Sequence, residues 1–162
     1  MEFKVIDITT IENELATVDQ CQHNFPKALD FPFPDLYRKW VTQIKTVEIS
    51  ADFVLYSAVA AVNENKDSDF KEYWIFAGTG QGDCWLLDQA GMVFFCDHDI
   101  EECLPMHISF EQSLQMAFLL RQLEEYLDNE GEVTSTMQIA IEECLNELHP
   151  DLSQNYPFSL YS

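Results

Sequence analysis

Residues 73–99 read Tyr-Trp-Ile-Phe-Ala-Gly-Thr-Gly-Gln-Gly-Asp-Cys-Trp-Leu-Leu-Asp-Gln-Ala-Gly-Met-Val-Phe-Phe-Cys-Asp-His-Asp. Residues 73–77 are aromatic and β-branched, a composition that suits a pleated surface better than a helix. Gly78, Gly80 and Gly82 then interrupt any regular element. Residues 84–87 and 92–96 are apolar runs joined by Asp88-Gln89-Ala90-Gly91. A connection that begins with Asp and ends with Gly suits a type I turn closed by a left-handed glycine, which makes the two runs a hairpin. Asp97-His98-Asp99 ends the last strand with three polar side chains. Three short strands in succession put the centre of the fold here.

Working outward, residues 46–62 carry apolar side chains at both odd and even positions, which suits a central strand or two, although the Ala-rich 58–61 segment also fits a helix. The polar stretch 63–69 then reads as a hairpin-like loop into the Tyr73 strand. Before it, Pro34 can open a helix, because its missing N–H costs nothing in the first turn. Leu36, Tyr37, Trp40, Val41 and Ile44 share one face of that helix. Residues 24–34 hold three prolines among Phe25, Leu29, Phe31 and Phe33 and read as an irregular, packed connection. At the start, residues 3–8 alternate as a short strand would. Thr9 and Glu12 match a capping box opening a helix over 10–21.

On the other side, residues 100–106 are short, acidic and stopped by Pro105. Ser109 and Gln112 form the clearest capping box in the chain, with Glu111 at the positive end of the helix dipole. The helix they open is expected to end near Asp128, before Asn129-Glu130-Gly131. A last helix from about Thr136 carries Met137, Ile141, Cys144, Leu145 and Leu148 and stops at Pro150. The tail keeps enough apolar residues, among them Leu152 and Tyr156, to pack.

At 162 residues, one domain spanning 1–162 is expected, and 47% hydrophobic residues exclude a wholly disordered chain. The charge is strongly acidic: 29 Asp plus Glu against 8 Lys plus Arg, a net −21. Such a surface repels nucleic acid and anionic membranes and steers in a basic partner. The amino terminus has no positively charged leader before an apolar run, and no run is long enough to span a membrane. The expected compartment is therefore the cytoplasm. The five cysteines, Cys21, Cys84, Cys96, Cys103 and Cys144, have no framework spacing and read as reduced thiols.

Four chemistries compete for the polar residues. Gly78-Thr79-Gly80-Gln81-Gly82 invites a phosphate-loop reading, but a strand follows it, Lys-Ser/Thr is absent, and Asp83 would repel phosphate. Cys96, His98, Cys103 and His107 form the one run with a zinc-like donor set, and they define the alternative of a small metal-binding protein. A hard cation on Asp97, Asp99, Glu101 and Glu102 lacks a defined oxygen-rich loop. A hydrolase built on Asp97 or His98 has no accompanying nucleophile signature. No cofactor is implied.

The order of parts carries a family resemblance. Phe33-Pro34-Asp35-Leu36-Tyr37-Arg38-Lys39-Trp40 precedes Ile75-Phe76-Ala77, then Gly80-Gln81-Gly82-Asp83, the Asp88–Gly91 hairpin, Val93-Phe94-Phe95, Asp97-His98-Asp99 and Ser109-Phe110-Glu111-Gln112-Ser113-Leu114. This resembles the SUKH superfamily, which includes yeast cell-wall-synthesis regulators and bacterial immunity proteins. The best-matching part is 74–123. The family's usual Asn-Gly after the Pro-led helix is replaced by Ile44-Lys45-Thr46, and the last helix and tail lie outside the resemblance. The resemblance implies an α+β domain, a twisted and mainly antiparallel sheet with helices packed around it. It also implies a non-catalytic protein that binds and neutralises a toxin, often a nuclease. Its motif residues Gly82, Asp83, Asp97, His98 and Phe110 would be mainly structural, Asp83 tying the glycine loop together and Phe110 seating a helix on the sheet. Gly82, Asp83, Trp85, Asp97, His98, Asp99 and Phe110 are thus the residues expected either to build the motif or to meet the partner. The other binding reading is an interaction scaffold in a regulatory assembly.

Overall fold

The computed structural model describes residues 2–100 and 102–161. Among them, six strands form one antiparallel sheet in simple sequence order: β1 (Val47–Ser50), β2 (Phe53–Leu55), β3 (Trp74–Gly78), β4 (Cys84–Leu87), β5 (Met92–Cys96) and β6 (Cys103–Ser109). The helices are α1 (Ile8–Leu15), α2 (Asp35–Val41), α3 (Ala58–Lys66), α4 (Phe110–Glu130), α5 (Ser135–Leu148) and α6 (Leu152–Asn155). This is the α+β class expected from the sequence. No helix among the described residues is long and apolar enough to cross a membrane.

The three strands of residues 73–99 sit in the middle of the sheet. Trp85 lies opposite Phe95 and Leu87 opposite Val93. Gly91 has φ +82°, as the turn requires, and the Asp88 carboxylate accepts the backbone N–H groups of Ala90 and Met92 at 2.9 Å each. Alternation divides the side chains between two faces. Trp74, Phe76, Trp85, Leu87, Val93 and Phe95 enter the main core, which draws buried residues from Phe3 to Tyr156. Ile75, Leu86 and Cys96 point the other way, where Tyr56, Phe70, Tyr73, Cys84, Phe94 and Cys103 partly cover them.

Helix α4 is the main cover of the core face. Its capping box is formed in full: the Ser109 hydroxyl accepts from the Gln112 N–H, and the Gln112 side chain accepts from the Ser109 N–H. Gly131 closes the helix with φ +81°, its N–H reaching the Leu127 carbonyl at 2.8 Å. Phe110, Leu114, Ala117, Met116, Leu119 and Leu120 are all buried, because α4 meets the sheet on one side and α1 and α5 on the other. Complete burial of side chains of this size stabilises by about 1.5–3 kcal/mol each. The tail packs as expected: Leu152 and Tyr156 are buried, and the Tyr156 hydroxyl donates to the Asp52 carboxylate at 2.8 Å.

Three stretches of the chain depart from the sequence expectations, the first being the amino-terminal one. Residues 3–7 form no strand. Phe3 is buried, but Lys4 exchanges its backbone hydrogen bonds with the side-chain amide of Gln122 on α4, so a helix side chain replaces a neighbouring strand. Helix α1 starts earlier and ends earlier than 10–21. Its cap is Asp7, whose carboxylate accepts from Thr10 at 2.8 Å, and residues 19–23 pair their backbone with 42–45 instead of extending the helix.

The second correction concerns 46–62. Strands β1 and β2 occupy its first half, but Ser57 caps α3, which runs through the Ala-rich segment and takes residues 63–66 out of the expected loop. Ala58 and Ala61 are buried against the sheet. Asn65 then mimics a strand, donating to the Ile75 carbonyl and accepting from the Ile75 N–H at 2.9 Å each. The third concerns 100–106, where Pro105 does not stop the chain but lies inside β6, opposite Phe94. An edge strand tolerates proline because its outward N–H has no ladder partner to lose. His107, with φ +61°, takes up the register shift between Met92 and Phe94.

Candidate functional site

The glycine loop and the polar end of β5 meet at one corner of the sheet, on the face opposite the main core. Thr79 closes the loop: its hydroxyl accepts the N–H groups of Gln81 and Asp83 at 3.2 Å each, and its own N–H donates to the Asp83 carbonyl at 3.1 Å. Gly82 adopts φ +93°, a conformation open to glycine and costly for residues with a Cβ. The loop thereby presents the Asp83 side chain, only 5% exposed, to the chain leaving β5.

Asp83 Oδ1 accepts both the backbone N–H of His98 at 3.1 Å and His98 Nδ1 at 2.6 Å, and Oδ2 takes the Thr79 hydroxyl at 3.4 Å. The other ring nitrogen, Nε2, lies 3.1 Å from Asp99 Oδ1, and the Asp99 N–H donates to Asp97 Oδ1 at 2.8 Å. The hydrogen bond to Asp83, with the charges of Asp99, Asp83 and Asp97, raises the His98 pKa above its ordinary 6.5. Burial pushes Asp83 upward, but the side-chain and backbone bonds from His98 and its charge outweigh it, so the pKa falls below 3.8. The His98 ring is thus a strut between two carboxylates. Nδ1 is hydrogen-bonded to Asp83, while Nε2 lies at ion-pair distance from Asp99.

Beside the strut lies a pocket of about 420 Å³. Ile75, Cys84 and Cys96 floor it, Phe70 forms one wall, and Glu64, Asp67, Asp69 and Asp97 rim it. Glu64 and Asp67 come from the C-terminal end of α3, where the helix dipole adds further negative potential. The pocket can hold the aliphatic stem of a basic side chain while its charge meets the rim. A second pocket, of about 390 Å³, lies under Asp52, Glu124, Asp128 and Tyr156, where burial and the neighbouring carboxylates raise the Glu124 pKa.

The residues singled out in the sequence separate into two groups. Gly82, Asp83, Asp97, His98 and Asp99 are brought together, with Asp83, Asp97 and His98 offering ligand atoms within 4.8 Å of one another. Trp85 and Phe110 are not at this corner and cannot meet a partner, since both are completely buried. Trp85 packs between Phe53 and Phe95 and donates from Nε1 to the Asp52 carbonyl at 2.8 Å. Phe110 seats α4 against Tyr37, Trp40 and Phe76.

The zinc-like quartet does not assemble. Cys96 and Cys103 face each other across β5 and β6, but the His98 ring is held by carboxylates and the His107 ring stacks on His149 with centroids 5.5 Å apart. In the hard-cation set, Glu101 lies outside the described residues. Sequence reasoning missed Glu64, Asp67 and Asp69 as pocket residues. Their signal was present as an acidic stretch, but only the fold of α3 over β3 brings that stretch to the glycine loop.

Compared with protein-family models, curated proteins and solved structures, the chain matches none.

Proposed function

We propose that this chain is a non-catalytic protein-binding domain of the SUKH kind, an immunity protein that docks on and neutralises a basic toxin domain. The observation that supports the reading best is the acid-rimmed pocket beside the Asp83–His98–Asp99 strut, in a chain of net charge −21. Long-range attraction brings a basic partner to this surface, and the pocket's apolar floor then takes the stem of a lysine or arginine. His98 lies against Asp99, whose N–H in turn holds the Asp97 carboxylate, so the two acidic side chains are set in place beside the pocket. On a nuclease target, such an acidic face occupies the surface that otherwise receives phosphates.

The test is co-expression with the proteins encoded beside it, followed by binding kinetics on any neighbour that co-purifies. Association is expected to slow steeply between 0.05 and 0.5 M salt, where the screening length shortens through about 10 Å at 0.1 M. An Asp67→Asn, Asp69→Asn double variant is expected to slow association more than it speeds dissociation. A toxic neighbour that binds at the same rate at every salt concentration, and equally well to the variant, refutes this reading of the surface.

A further inference from the structure

Three of the five cysteines line up across adjacent strands. Cys84 on β4 lies opposite Cys96 on β5, and Cys96 lies opposite Cys103 on β6, all on the face away from the main core. All are free thiols; Cys96 is buried and Cys103 is partly exposed at the sheet edge. The Cys96 thiol donates to the Asp97 carbonyl at 3.9 Å, and burial, then Cys103 and after it Cys84, raise its pKa. Directly opposed residues of an antiparallel pair have Cα atoms about 4.5 or 5.5 Å apart, inside the roughly 4.4–6.8 Å that a disulfide spans. Cys84 and Cys103 are two strands apart, about twice the 4.8 Å strand spacing, and cannot join.

We propose that Cys96 and Cys103 are a site of reversible oxidative modification, closing a cross-strand disulfide by exchange with a low-molecular-weight disulfide such as oxidised glutathione. The partly exposed Cys103 thiolate attacks one sulfur of the glutathione disulfide, forming a mixed disulfide and expelling one glutathione thiolate. Cys96 then gives up its proton and attacks the Cys103 sulfur, forming the protein disulfide and expelling the second glutathione. The two protein thiols lose two electrons, and the glutathione disulfide gains them as two thiols. The bond closes the connection that carries Asp97-His98-Asp99, and so fastens the corner described above to the sheet edge. Burial and the neighbouring Cys103 push the Cys96 thiol up to about 12, so the second step is the slow one. Its rate rises about tenfold per pH unit near neutrality, because only the thiolate attacks.

The test treats the folded protein with oxidised glutathione at pH 8 and cleaves it before aspartate. Cleavage before Asp97 and Asp99 leaves Cys96 and Cys103 on separate peptides, held together only if the bond has formed. The expected result is that joined pair, with two glutathione thiols released per bond. Cys84→Ser should leave the bond intact, and Cys96→Ser should stop at a lasting glutathione adduct on Cys103. A stable adduct on Cys103 in the unaltered protein overturns the proposal, as does a Cys84–Cys96 link. So does a folded protein whose thiols stay unreacted while the urea-unfolded chain reacts.

Discussion

Replacing Phe110 by alanine separates an architectural residue from a contact residue. The ring is completely buried and packs edge-on or tilted against Tyr37, Trp40 and Phe76, with centroids 5.3, 5.9 and 5.8 Å away. Phe-to-Ala changes in such sites cost about 3–5 kcal/mol, the lost transfer energy plus the unfilled cavity. The neighbours hold one another and α2 in place, because Tyr37 also accepts from Trp74 Nε1 at 2.7 Å, so the cavity cannot readily collapse. About 4 kcal/mol is therefore expected, a large fraction of the roughly 5–15 kcal/mol that stabilises a domain. Urea unfolding followed by tryptophan fluorescence reads this directly, as a fall in midpoint at unchanged slope. Heating should show a melting temperature lower by about 8–16 °C, at 2–4 °C per kcal/mol for a chain of this length. Phe110→Leu, which keeps most of the volume, should lose less than half as much. A loss below about 1 kcal/mol for the alanine variant would refute the claim that this residue seats α4.

Three further outcomes follow from the same structure. Raised in the fold, the His98 pKa contributes stability that is fully present below 6.5 and lost as pH rises through the folded value. The depressed Asp83 pKa contributes stability present above 3.8 and lost as pH falls through its folded value, so the strut is strongest between these limits. Proton NMR should find His98 titrating above 6.5, and Asp83→Asn should move it back down; an unmoved midpoint contradicts the contact. Ser109→Ala removes half of the α4 capping box and is expected to cost about 1 kcal/mol in urea unfolding. Gly91→Ala places a Cβ at φ +82° and 3.2 Å from the Pro34 side chain, and is expected to cost about 1–2 kcal/mol, whereas an unchanged midpoint would mean the turn is not left-handed.

Elements whose local chemistry and tertiary role agree were readable from the residues. The hairpin around Asp88 and Gly91, the capping box at Ser109 and the proline-led helix each carry a short-range signal that needs no distant partner. Where a distant partner decides, reading failed. Residues 3–7 alternate like a strand but bond to a glutamine on α4, and Pro105 looks like a stop until its position on the sheet edge is known. The Ala-rich segment permitted strand or helix, and the outcome turned on the Ser57 cap and on the burial of Ala58 and Ala61 on one face of the helix.

The site divides along the same line. Composition alone makes the protein strongly acidic, and the sequence singles out Gly82, Asp83, Asp97 and His98 without bringing the loop and the strand end together. That Asp83 is buried and grips both the backbone and ring of His98, that Trp85 and Phe110 are interior, and that Glu64, Asp67 and Asp69 overhang the corner emerges only when the chain has folded. Charge and turn chemistry are properties of neighbours along the chain. A pocket is made by residues that meet only after strands pair and α3 folds back over them.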